Sequence, residues 1–154
     1  MKSILFVCLG NICRSPVVEA IARLEFQRAG LDVYVDSAGT ADYHVGEQAD
    51  ARSRASAQRA GYDAEPHRAR QLSADDFEQF DAVLAMDNRN LREILSRCPP
   101  RHRGKVDLFL RRAGIASPLE VPDPYYGQDA DFQRVIELGR MGVEKMIAAL
   151  PTTA

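Results

Sequence analysis

The sequence predicts an α/β protein, a single domain over residues 1–154 built on an open parallel sheet of four strands flanked by helices. Three observations carry this. Short runs at 4–8, 33–39, 82–86 and 105–110 read as strands, and "ILFVC" and "AVLAM" are apolar throughout, as strands buried on both faces are. Segments with helical spacing and capping residues lie between those runs. The length of 154 residues, with 45% hydrophobic and 27% charged, suits one ordinary globular core. Strands that alternate with helices pair in parallel through right-handed crossovers. In such sheets the ligand site lies beyond the carboxyl ends of the strands.

Each element follows from its residues. "ILFVC" (4–8) runs into a loop, and Pro16 suits the first turn of the helix that follows. Val17, Ala20, Ile21 and Leu24 keep helical spacing up to Gly30, a C-terminal cap. "VYVDSAG" (33–39) is a strand ending in a Ser/Gly turn, and Asp50 to Ala60 is a helix stopped by Gly61. Ser73 with Asp76 forms a capping-box pattern for a short helix through Phe80. "AVLAM" (82–86) is a strand. Asp87 caps a helix from Asn88 to about Arg97, which Cys98-Pro99-Pro100 ends. "KVDLFL" (105–110) is the fourth strand, and "EVPDPYYG" (120–127) is a turn-rich loop. A last helix starts near Ala130, with Phe132, Ile136, Val143, Ile147 and Leu150 on one stripe. Cys8, Met86-Asp87 and the Asp123 loop all follow strands, so they can converge on one rim.

Lys+Arg is 20 and Asp+Glu is 22, a net charge of −2, which argues against binding nucleic acid through a basic surface. The three cysteines, Cys8, Cys13 and Cys98, are an odd number and read as reduced thiols. The apolar run Ile4–Leu9 is shorter than a signal-peptide core, and no run reaches membrane-spanning length. A cytoplasmic protein with no membrane partner is the expectation. No cofactor or metal is expected either. The Walker and G-x-G-x-x-G spacings are absent, His44 has no partner pattern, and Cys98-x3-His102 is too sparse for zinc.

The chemistry concentrates in "VCLGNICRSP" (7–16). A loop between a buried strand and a helix start turns backbone N–H groups inward, an anion cradle reinforced by the helix dipole. Leu9, Gly10, Asn11, Ile12 and Cys13 would supply those groups, and Gly10 lets the backbone pass close to an oxyanion. Arg14 offers a planar fork for two phosphate oxygens. Cys8 lies at the base of the cradle, where a positive field favours thiolate.

The full string, apolar strand, Cys8, Gly10, Asn11, Cys13, Arg14, Ser15, Pro16 and helix, resembles the C-x5-R-S active-site loop of the low-molecular-weight protein tyrosine phosphatases. "DPYYG" (123–127) is similar to the second signature of that family, placed before the last helix. "DSAGT" (36–40), "DAR" (50–52), "HRARQL" (67–72) and "AMDNRNL" (85–91) follow in family order. The resemblance implies the phosphotyrosine protein phosphatase I-like fold and hydrolysis of phosphotyrosine and aryl phosphates. It casts Cys8 as the nucleophile that forms a phosphocysteine, and Arg14 as the phosphate binder. Ser15 would stabilise the Cys8 thiolate as it leaves, and Asp123 would act as general acid and then base. Tyr125 and Tyr126 would flank the crevice, with Tyr43 where many relatives carry Trp. Ser37 and His67, with Asn11, would brace the loop from behind. Implied partners are phosphotyrosine proteins, a tyrosine kinase among the candidates, with inorganic phosphate as product.

Two other readings stand beside this one. Arsenate reductases share such a loop in one lineage, but their relay uses a close pair of cysteines outside it, and here only Cys98 lies outside. A binding module with a dead cradle would not need nucleophile, arginine, serine and acid together.

Overall fold

The computed structural model describes residues 1–150. Its sheet has four parallel strands, β1 (Ser3–Cys8), β2 (Tyr34–Gly39), β3 (Ala82–Ala85) and β4 (Val106–Leu108), in the order β2-β1-β3-β4. The helices are α1 (Ser15–Arg28), α2 (Ala51–Arg59), α3 (Ala74–Gln79), α4 (Asn88–Arg97), α5 (Phe109–Arg112) and α6 (Asp129–Ala149).

β1 is central, paired along both edges, and both of its faces are covered by packed helices and loops. Ile4, Phe6 and Cys8 join Leu84 and Met86 in one cluster with Val17, Ile21, Val135 and Val143 of α1 and α6. Leu5 and Val7 join Val83 and Ala85 on the other face with Leu72, Phe77, Phe80 and Ile94. The run "ILFVC" is apolar throughout because both sets are needed. Phe109 meets Phe6 edge-on at 5.5 Å, and Gly142 of α6 leaves room for the Phe109 ring, where any Cβ would clash.

Most elements lie where the sequence puts them. Gly30 (φ 73°) and Gly61 (φ 93°) follow α1 and α2 with left-handed backbone. The capping boxes at Ser73 and Asp87 are both formed. The fourth strand is the exception. It was expected over 105–110, but it ends at Leu108, and Phe109–Arg112 are helical. β4 is an edge strand, and its partner among the described residues, β3, ends at Ala85, opposite Leu108. Beyond that point the backbone has no ladder to join, and Phe109 turns inward against Phe6. A 3-10 turn over Pro100–Lys105, which the sequence did not signal, links α4 to β4.

No helix among the described residues is long and apolar enough to cross a membrane. Cys8, Asp87 and the 120–127 loop all lie past the carboxyl ends of parallel strands, which places the site.

Candidate active site

Residues 8–14 curl from the end of β1 into the start of α1. The carbonyls of Cys8, Leu9, Asn11, Ile12 and Cys13 are taken by groups behind the loop. Thr40 N donates to Cys8 O at 2.9 Å, Ala41 N to Leu9 O at 3.0 Å, and Asp50 N to Ile12 O at 2.9 Å. Ser53 Oγ donates to Cys13 O at 3.2 Å, and His67 Nε2 to Asn11 O at 2.7 Å. No partner among the described residues takes the N–H groups of Leu9 to Arg14. A loop that spends its acceptors outward and keeps its donors inward is an anion cradle. Gly39 lets the loop lie this close to β2, since a Cβ there would come within 2.7 Å of Leu9 O.

Asn11 shapes the bend. Its backbone is left-handed (φ 59°), and its side chain is wholly buried, turned away from the cleft. Asn11 Oδ1 accepts from Arg70 N at 2.9 Å, which orients the amide. Asn11 Nδ2 then donates to Ser15 Oγ at 2.9 Å and Ser37 Oγ at 3.0 Å. Both hydroxyls are left with their own hydrogens to give. Ser37 Oγ donates to Glu19 Oε1 at 2.6 Å, and Ser15 Oγ lies 3.0 Å from Cys8 Sγ, free to donate to a thiolate there. Glu19 is buried and is held in turn by Arg23. Burial pulls the His67 pKa below its ordinary value, although the Asn11 carbonyl and the Glu19 and Asp36 charges oppose it. Neutral His67 with its hydrogen on Nε2 suits the bond to Asn11 O.

Arg14 is only 3% exposed. Its Nη1 donates to Asp87 Oδ2 at 2.7 Å and Val121 O at 3.1 Å, and its Nη2 lies 3.9 Å from Asp123 Oδ2. Burial alone would lower its pKa. The Cys8 sulfur, the hydrogen bond and charge of Asp87, and Asp123 reverse this and hold the guanidinium above its usual value. With Nη1 occupied, Nε and Nη2 remain for a bound oxyanion.

Asp123 stands across the cleft with its side chain 46% exposed. Its Oδ1 accepts from Tyr125 N at 3.1 Å, leaving Oδ2 turned toward Arg14. The Tyr125 ring is held by Arg52, whose guanidinium stacks 5.5 Å from it and 4.6 Å from Phe132. Arg52 is fixed at its other side by Asp50, which accepts from its Nε at 3.0 Å and Nη2 at 2.9 Å. The cleft, of about 250 Å³, is floored by Cys8, Leu9, Gly10, Ile12, Cys13 and Arg14 and walled by Tyr43, Tyr125 and Tyr126. Tyr126 is 97% exposed and meets Tyr125 edge-on at 4.9 Å. Burial, then the charges of Asp50, Cys8 and Asp123, pushes the Cys13 thiol up to about 12.

The family model described as low molecular weight phosphotyrosine protein phosphatase matches residues 3–153. The chain belongs to that family. The low molecular weight phosphotyrosine protein phosphatase of Schizosaccharomyces pombe is 45% identical over 132 residues, 84% of each chain. The protein tyrosine phosphatase of Entamoeba histolytica, solved with Hepes in the active site, is 41% identical with a TM-score of 0.91, covering 96% of each chain. Vibrio vulnificus Wzb, solved in complex with benzylphosphonate, is 30% identical with a TM-score of 0.86, covering 97% of this chain and 99% of its own. The chain is thus an enzyme, a protein tyrosine phosphatase of the hydrolase class, and phosphoproteins are its substrates.

The structure brings Cys8, Arg14, Ser15 and Asp123 together, with Ser37 and His67 behind them. Tyr43, Tyr125 and Tyr126 line the cleft, and of the loop residues only Asn11 is kept out of it. Sequence reading missed Glu19, Arg52, Arg70 and the ion pair of Asp87. Glu19 left no signal, because it lies off the stripe of Val17, Ala20, Ile21 and Leu24 and reads as a solvated helix residue. Among the described residues no group of three or more His, Cys, Asp or Glu could hold a metal.

Proposed function

We propose that the enzyme hydrolyses phosphotyrosine through a phosphocysteine on Cys8. The observation that carries this is the set of unspent donors, the N–H groups of residues 9–14 with Arg14 Nε and Nη2, gathered around one sulfur and facing one carboxyl group. The Cys8 thiolate attacks phosphorus, and the cradle with Arg14 takes the charge of the equatorial oxygens. Asp123 gives its proton to the departing tyrosine oxygen. It then takes a proton from water, which attacks the phosphocysteine and releases inorganic phosphate. Ser15 Oγ, 3.0 Å from Cys8 Sγ, donates its hydrogen to the sulfur and stabilises it as the S–P bond breaks. Benzylphosphonate, bound by the Vibrio vulnificus relative, has the outline of an aryl phosphate headgroup.

Phosphotyrosine proteins, tyrosine kinases among them, are the partners in this reading, and the cytoplasm is the compartment. The three free thiols support a reducing location. Cys98 belongs to the apolar cluster on the other face of the sheet from Cys8, so it is not placed to relay oxidation from the loop.

Substitution of the nucleophile tests the proposal. Cys8→Ser is expected to abolish turnover of p-nitrophenyl phosphate while vanadate or phosphate still binds, because the cradle does not depend on the sulfur. Substantial turnover by purified Cys8→Ser would remove Cys8 from the mechanism.

A further inference from the structure

A second groove, of about 490 Å³, opens from the same floor and shares Leu9, Arg14, Tyr43 and Asp123 with the catalytic cleft. Topology sets its walls. β1 lies between β2 and β3, so the loop after β2 forms one side and the start of α4, after β3, forms the other. The loop contributes Asp42, and α4 contributes Arg89, Glu93 and Arg97. Asp87 and Asp123, at the shared floor, face Arg14.

Arg97 donates to Glu93 Oε1 from Nε at 3.1 Å and Nη2 at 2.7 Å, and the two charges offset each other. Arg89 is left over. Glu93, one turn along, is the ordinary partner for it but is engaged by Arg97. Among the described residues Arg89 makes no ion pair and no side-chain hydrogen bond, and it is exposed. It also stands in the first turn of α4, where the helix dipole disfavours a cation. An unpaired guanidinium is thus held in the groove beside the catalytic cleft by a helix that gains nothing from it.

We propose that this groove receives the polypeptide flanking the phosphotyrosine, and that Arg89 pairs with an acidic side chain of that flank. The inference rests on the phosphatase reading above and adds the substrate class. Asp42 on the opposite wall repels the same acidic side chain and presses it toward α4, so the groove reads charge at one position of the peptide. Tyr43 and Leu9, common to both grooves, form the ridge over which the peptide passes from ring pocket to charged groove.

The test is a set of phosphotyrosine peptides carrying Glu, Ala or Lys at each flanking position in turn, with kcat/KM measured for the wild type and for Arg89→Gln, Arg89→Glu and Asp42→Asn. At one flanking position the wild type is expected to favour Glu over Ala by about two- to fivefold, the range of an exposed ion pair. That preference should shrink as salt rises. Arg89→Gln is expected to erase it and Arg89→Glu to invert it, with p-nitrophenyl phosphate turnover unchanged in both, since Arg89 does not touch the cleft. A peptide profile identical in wild type and Arg89→Gln overturns the proposal, as does a preference that Asp42→Asn removes and Arg89→Gln leaves intact. Failure of the wild type to hydrolyse p-nitrophenyl phosphate would instead strike the active-site reading itself.

Discussion

Residues 8–14 and residues 120–127 face each other across one cleft, yet they are held in contrasting ways. The first segment is braced from behind by buried groups, Asn11, Ser15, Ser37 and Glu19, and the carbonyls of Cys8, Leu9, Asn11, Ile12 and Cys13 are all hydrogen-bonded. The second is anchored at Val121, whose N–H reaches Met86 O and whose carbonyl accepts from Arg14, and at Tyr125 under Arg52. Between those anchors Asp123 is half in solvent. The contrast suits the two duties proposed for these segments. Stabilising a developing charge needs dipoles fixed before reaction. A group that gives a proton, takes one back and lets a tyrosine leave past it needs access to water and to the substrate.

The largest separable effect is expected on the thinly held side. Asp123→Ala should slow phosphotyrosine cleavage by about 10²–10⁴, the usual worth of general acid–base catalysis. Tyrosine, with a phenol pKa near 10, needs a proton to leave, and nitrophenol does so far less. The loss with p-nitrophenyl phosphate should therefore be smaller. Phosphoenzyme formation measured in single turnovers over phenols of graded acidity checks this. A slope no steeper in Asp123→Ala than in the parent would show that Asp123 only shapes the turn.

Breaking the braced side should give the opposite pattern. Asn11→Ala leaves the Arg70 N–H and the Ser15 and Ser37 hydroxyls short of partners, and it puts Ala at φ 59°. A stability loss of about 2–5 kcal/mol is expected from the unpaired groups and the left-handed strain. Turnover should fall by the same factor for every phenol. Urea unfolding together with the leaving-group series decides it. A loss confined to poor leaving groups would mean that the brace serves the acid and not the cradle.

The smallest effect concerns the thiols. Peroxide converts a Cys8 thiolate to sulfenic acid with loss of hydroxide, and Cys13 can then displace water to close a disulfide. The attacking group must be the Cys13 thiolate, and burial pushes that thiol up to about 12. Closure should therefore be slow near neutrality and quicken as pH rises, about tenfold per unit while the thiol remains mostly protonated. Peptide mapping after timed peroxide exposure follows it. Cys8 recovered only as sulfinic or sulfonic acid with Cys13 free, at every pH, would exclude the disulfide.

The same contrast explains what the sequence discloses. Cys8, Arg14 and Ser15 are legible because the cradle is one continuous segment, with chemistry-bearing residues at fixed spacing. Of the brace, Asn11, Ser37 and His67 were legible only through the family resemblance and Glu19 and Arg70 not at all, because its members are gathered by the sheet. Ser37 comes from β2, Glu19 from α1, and Arg70 and His67 from the segment that precedes α3. Asp87 was legible as a helix cap, a local role it fulfils toward Asn90 N, but not as the partner of Arg14, 73 residues away in the chain. The strands were readable from apolar runs, and "KVDLFL" was overread for the same reason. An apolar pair such as Phe109-Leu110 serves a strand or a short packed helix equally well, and only the end of β3 decides between them.

Asn11 carries a consequence for how this gene can change. The position asks one side chain for a left-handed backbone, two donated hydrogens and one acceptor, all within reach of Arg70, Ser15 and Ser37. A single base change in an asparagine codon yields Asp, His, Lys, Ser, Thr, Tyr or Ile. Asp tolerates the bend but has no amide hydrogens, Lys has no acceptor, Ser and Thr are a hydrogen short, and Tyr and Ile are the wrong shape. His needs both ring nitrogens to donate and then has nothing left to accept with. The cradle is thus fenced at this codon, so variation among descendants of this enzyme must collect elsewhere, on the rim and the walls, where it can alter which substrates dock without disturbing the site that holds their phosphate.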